Sequence, residues 1–152
     1  MLKIKPALFL LIIFLTIAGT YGVLRLIDKD HPVQIHKFDV QTEDLALKDF
    51  TLVSFDNHQY IQKNYYFELS NHEKNITKLT MSMNLQGKEI ASLSATDPFV
   101  KQDKFYVDAE NVINNVEIFD DSVLNVKISY VADGKTKEYY EDVKLKDTIK
   151  KK

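Results

Sequence analysis

The sequence predicts an all-β fold, a two-sheet antiparallel sandwich, preceded by one N-terminal transmembrane helix. Three observations carry this. Residues 7–27 (ALFLLIIFLTIAGTYGVLRLI) are apolar all round and hold no charge before Arg25. Residues 77–85 and 124–130 alternate apolar and polar side chains, the pattern of a strand with one buried face. Asp133-Gly134 stands between two alternating runs, a strong short-range hairpin signal.

The apolar run comes first. Residues 7–24 alone, at about 1.5 Å of rise per residue, reach roughly 27 Å, close to the thickness of a bilayer's hydrocarbon. Residues 1–6 form a basic stub with Lys3 and Lys5. The segment reads as a signal anchor. The alternative is a cleaved signal peptide, for which Ala18-Gly19-Thr20 and Thr20-Tyr21-Gly22 are passable sites, although apolar Val23, Leu24, Leu26 and Ile27 follow them. No cysteine follows the run, which excludes lipid attachment there. Lys3 and Lys5 on one side are matched by Arg25 and Lys29 on the other, so positive charge alone does not orient the helix. The short N-terminal stub and long C-terminal region favour a cytoplasmic N-terminus, with residues 28–152 outside. The expected location is therefore the cell membrane, crossed once. Ala18, Gly19 and Gly22 are small residues at helical spacing, where a second membrane helix can approach closely.

Residues 28–32 are a charged connector, and Pro32 ends any helix before it. From residue 33 onward the pattern is strand. Val33, Ile35, Phe38 and Val40 switch parity midway, which suggests a bulge or an edge strand. Residues 41–48 read as a polar connection with room for one helical turn, and 49–55 as a short apolar strand before a turn at Asp56-Asn57-His58. Ile61, Tyr65, Phe67 and Leu69 share a face, interrupted by Lys63. Residues 70–75 are loop. Leu79, Met81, Met83 and Leu85 then form the cleanest strand face in the chain. Gln86-Gly87-Lys88 turns into a strand at 89–95, closed by Thr96-Asp97-Pro98. A weaker strand follows at 99–107, residues 108–115 read as one helical turn or a further edge, and Leu124, Val126, Ile128 and Tyr130 lead into the Asp133-Gly134 hairpin and its return through Tyr139, Val143 and Leu145.

About seven strands with turns every 8 to 12 residues point to an immunoglobulin-like sandwich over residues 33–146, with an up-and-down barrel as the alternative. Antibody-type markers are missing, since the chain has neither Trp nor Cys. Such a domain must be held by packing without a cross-link.

Charge is uneven. Residues 31–143 hold eleven Lys and no Arg against nineteen Asp and Glu, a net of −8, whereas 144–152 hold five Lys and one Asp. An acidic body argues against nucleic acid as a partner. The end of the chain, 147–152, reads as a lysine-rich solubilising tail.

The candidate chemistry is sparse. His31 and His36 are five apart in extended chain and face opposite ways, while His58 and His72 fall in turns; surface histidines are the expectation, with no metal site. Asp97, Asp103, Asp108 and Glu110 lack the spacing and glycine of a calcium loop. There is no Gly-x-Ser-x-Gly elbow, no cysteine and no glycine-rich phosphate loop. The expectation is a non-enzyme without cofactor. Tyr65-Tyr66 and Tyr139-Tyr140 each put one ring on either face of a strand, and the outward pair, Tyr66 and Tyr140, are candidate surface contacts for a partner. The role expected is a membrane-anchored binding or accessory module at the cell surface. It contacts lipid through residues 7–27 and meets another membrane or surface protein. The alternatives are a structural subunit of a membrane complex and a secreted binding protein.

Overall fold

The alternation that predicts strands is met almost residue for residue in one of two antiparallel sheets of the computed structural model, which describes residues 33–100, 102–119 and 121–149. The predicted stub, transmembrane segment and connector, with Ala18, Gly19, Gly22 and His31, lie outside the described residues, as do Lys150, Lys151 and Lys152. Among the described residues no helix is long and apolar enough to cross a membrane.

That sheet contains β5 (Ile76–Leu85), β6 (Lys88–Thr96), β9 (Val123–Ala132) and β10 (Lys135–Lys144), in the order β10-β9-β5-β6. Leu79, Met81, Met83 and Leu85 of β5 and Leu124, Val126, Ile128 and Tyr130 of β9 are all buried, because a period of two sends every second side chain to the same face. Two hairpins are closed by turns with positive φ. Gln86 and Gly87 stand at φ 54 and 77, Asp133 and Gly134 at φ 50 and 77. Paired positive φ values give the turn whose twist matches that of the flanking strands.

The other sheet holds β1 (Gln34–Gln41), β2 (Leu45–Phe55), β3 (His58–Ile61), β4 (Tyr65–Leu69), β7 (Lys104–Val107) and β8 (Asn111–Asn114). β3 and β4 lie end to end against β2, separated by Gln62-Lys63-Asn64, where Asn64 takes φ 73. β7 and β8 lie end to end against them in one unbroken register, Tyr65 opposite Val107 and Ile61 opposite Asn111. Among the described residues ten strand segments thus follow eight strand paths, four in each sheet, where the sequence suggests about seven strands. Buried side chains from both sheets join one hydrophobic cluster that includes Leu47, Phe50, Leu52 and Phe67 from one sheet and Met83, Leu85 and Ile128 from the other.

Several elements differ from expectation. Residues 41–48 are not a polar connection with a helical turn. Thr42 closes a tight turn, its N–H and hydroxyl both donating to Leu45 O at 2.9 and 2.7 Å, and β2 starts at Leu45 with Leu45 and Leu47 fully buried. Inward parity then shifts from Leu47 to Phe50 because Asp49 bulges at φ 59, and Asp39 Oδ1 accepts its N–H at 2.9 Å. β1 is the edge strand that the sequence allows, and it keeps one parity, with His36 and Val40 buried and Ile35 exposed. Of the residues read as a strand at 99–107, only Lys104–Val107 are strand, while 108–115 hold a further edge strand, the second of the two readings the sequence allows. The start of the predicted tail is held as well. A 3₁₀ turn at Leu145–Thr148 packs on β1, and Ile149 bridges to His36.

Candidate functional site

Strand direction sorts the connections to two ends. At one end are Val33, where the described chain begins, the turns after Phe55 and Leu85, the crossing from β8 to β9, and the 3₁₀ turn. At the other are the β1–β2 turn, the 70–75 crossing from β4 to β5, the crossing from β6 to β7, and the Asp133-Gly134 hairpin. The second end, called the loop end below, carries the main candidate site.

Backbone bonds fix these loops. Ser70 N–H donates to Asp44 O at 2.8 Å, Leu69 N–H to Asp103 O at 3.1 Å and Asp97 N–H to Thr77 O at 2.9 Å. Asp133 joins the 70–75 loop to the hairpin: its carboxylate accepts from Asn75 N–H at 3.1 Å and from Lys74 Nζ at 2.7 Å. Lys74 holds the Asp133 carboxyl below the usual carboxylate range, and Asp133 raises Lys74 in return. The two sheets are tied together at this end by Asp44, buried in the first turn, which accepts from Lys137 Nζ of β10 at 2.7 Å. That bond, with a second that Lys137 Nζ makes to Glu43 at 2.9 Å, pushes the Lys137 ammonium up.

Between the 70–75 loop and the β6–β7 crossing lies a groove of about 270 Å³. Its floor is apolar, made by buried Leu69 and Ile76 with half-buried Phe99, and Val100 stands exposed at its edge. Its rim is polar: His72 Nδ1 lies 3.4 Å from Asp103 Oδ1, beside Asn75 and Gln102. An apolar floor with a few polar rim groups suits a protruding apolar side chain flanked by hydrogen-bonding backbone. The described lining residues include no Ser, Thr or Cys, and their one amine, Lys74, is paired with Asp133. No group of three His, Asp or Glu among the described residues stands close enough together to hold a metal ion.

The predicted contact residues fall apart in space. Tyr66 is half-buried on the outer face of one sheet, paired with Tyr106 across the strands at 5.2 Å between ring centroids and covered by Lys104 Nζ at 4.7 Å. Tyr140 is 63% exposed on the other sheet, with Lys127 Nζ 5.0 Å from its ring and its hydroxyl donating to Glu138. They do not share a patch.

Sequence reasoning missed two polar groups. Asp44 looks like loop chemistry in QTEDLALKDF, and no local signal marks it as buried. His36 is fully buried rather than on the surface. Its Nδ1 lies 2.9 Å from Leu145 O and 3.1 Å from Thr148 Oγ1, while Nε2 has no partner among the described residues. Burial pushes its pKa down. Of the other two described histidines, His58 and His72 are both exposed, as expected.

No protein-family model, no curated protein and no solved structure matches the chain.

Proposed function

We propose that this chain is a single-pass, membrane-anchored extracytoplasmic protein whose immunoglobulin-like sandwich acts as a binding or accessory module at the cell surface, engaging its partner at the loop end. The observation that carries the reading is the groove beneath Val100, built where loops from both sheets converge at the end opposite Val33. The immunoglobulin-like assignment rests on the central pairings. β3/β4 pairs with β7/β8 in one sheet and β5 with β9 in the other, and the chain crosses between the sheets at each step from the first pair to the second. These pairs correspond to strands B with E and C with F of the immunoglobulin pattern, and the 70–75 loop and the Asp133 hairpin then match loops that carry binding in variable domains. The step from such a fold to a binding role is an analogy.

A photocrosslinking residue at position 100 in the full chain, expressed in cells, tests the reading. A discrete adduct from position 100, without one from Phe55 at the opposite end, is the expected result. Equal labelling from both positions, or none from position 100, counts against a partner site at the loop end.

A further inference from the structure

We propose that β6 is a self-pairing edge through which two copies of this chain associate about a two-fold axis at Leu93. Two sheets have four outer edges, and three of them are guarded. β10 carries Lys135, Lys137, Glu138, Glu141, Asp142 and Lys144. β1 carries Lys37 and Asp39 beside the Asp49 bulge of β2 and is covered near His36 by the 3₁₀ turn and Ile149. The β7/β8 edge is broken at residues 108–110, where Asp108 and Glu110 stand. Charge, bulges and short strands are the devices that keep an edge from pairing with another chain. β6 has none of them from Ala91 to Thr96. The run ASLSAT holds no charge and no proline, and the bulge against β5 lies before it, at Ile90.

The same run is its own complement. Residues 91–95 read ASLSA in both directions. Antiparallel pairing centred on Leu93 sets Leu93 against Leu93 of the second copy, Ser92 against Ser94 and Ala91 against Ala95. Ser92, Ser94 and Thr96 are exposed, while Ala91, Leu93 and Ala95 are half-buried with Ala91 and Leu93 against the core. Serine therefore meets serine on the outer face, and small or apolar residues meet on the inner one, both favourable cross-strand pairs. The pairing has defined limits. Asn111 Nδ2 already occupies Ile90 O at 3.1 Å, and Asp97, at φ 48 and followed by Pro98, turns the chain away after Thr96. The five residues 91–95 span roughly 17 Å at 3.3 Å each. The contact is isologous and closes after two copies, giving one continuous eight-stranded sheet rather than a fibre. In a body of net −8, an uncharged edge is the place where a second copy meets the least repulsion.

The full chain in detergent micelles should be a dimer whose dissociation constant rises at least about tenfold in S92K/S94K, which sets four lysines together across the axis. S92K/S94E, which sets Lys against Glu twice, should keep the dimer. Both variants should melt with the parent, so that lost pairing is separated from lost folding. Because the chain has no cysteine, L93C should form a disulfide-linked dimer on oxidation, as directly opposed strand residues lie within disulfide reach. A T136C control on β10 should not. A monomeric parent, a S92K/S94K variant as dimeric as the parent, or L93C crosslinking no better than T136C overturns the proposal.

Discussion

Acidification should loosen this fold through one residue, His36. The Thr148 hydroxyl donates to Leu145 O at 2.7 Å, so the 3.1 Å contact between it and His36 must use a proton on Nδ1, which also points to Leu145 O. The neutral ring thus carries its hydrogen on Nδ1 and leaves Nε2 buried without a partner among the described residues. Protonation puts a charge and an unmatched N–H there, so the folded protein resists it and the histidine pKa is lowered. The sign follows from linkage. Above the unfolded value of 6.5 neither state takes the proton, and stability is unaffected. Below it the unfolded chain gains a proton that the folded chain refuses, so stability falls as pH falls, down to the lowered folded pKa. One proton sets a limit of about 1.4 kcal/mol per pH unit, hence no more than about 2 kcal/mol between pH 6.5 and 5. Urea unfolding at pH 7.5 and pH 5.0, for the parent and for H36Q, measures this. The parent should lose more stability than H36Q by an amount within that limit, and exchange of the amides near Leu145 should quicken first. Equal losses in the two proteins refute the reasoning, because every other side chain is common to both.

Three further outcomes follow from the fold. L47A should cost about 2 to 5 kcal/mol in urea unfolding, since Leu47 is fully buried, whereas a residue in a polar connection loses almost nothing. G134A should cost about 1 to 2 kcal/mol through its left-handed backbone alone, because a Cβ at Gly134 meets nothing within 4 Å; a larger loss means the turn is otherwise constrained. K137M should destabilise the protein by leaving the buried Asp44 carboxylate without its ammonium, and D44N added to it should recover most of the loss, as a double-mutant cycle in denaturant will show.

The parts of the fold legible in the sequence are those where one strand keeps one parity. β5 and β9 do so, and both tight turns between strands of their sheet carry glycine. The other sheet hides its strands because it breaks parity. Asp49 bulges between Leu47 and Phe50, so one eleven-residue strand reads as a connection and a short strand. Lys63 and the Asp108–Glu110 stretch interrupt two further strands whose partners nevertheless stay close to register. In β1 the inward residue is His36, and a polar side chain inside an apolar face defeats a count of apolar positions. The groove was less legible still. Its floor, Leu69, Ile76 and Phe99, comes from three separate segments, and only the crossings between sheets bring them together. Tyr66 and Tyr140 face outward on their strands, but sequence carries no information about which sheet each strand joins.

The most direct measurement of the central claim is the fate of the N-terminal segment, read from the mature mass of the full chain carrying a C-terminal tag after cell fractionation. The account predicts an intact 17.6 kDa chain plus tag in the membrane fraction, with the tag removed by protease added outside the cell. A shortened chain in the medium, beginning near Tyr21 or Val23, contradicts it.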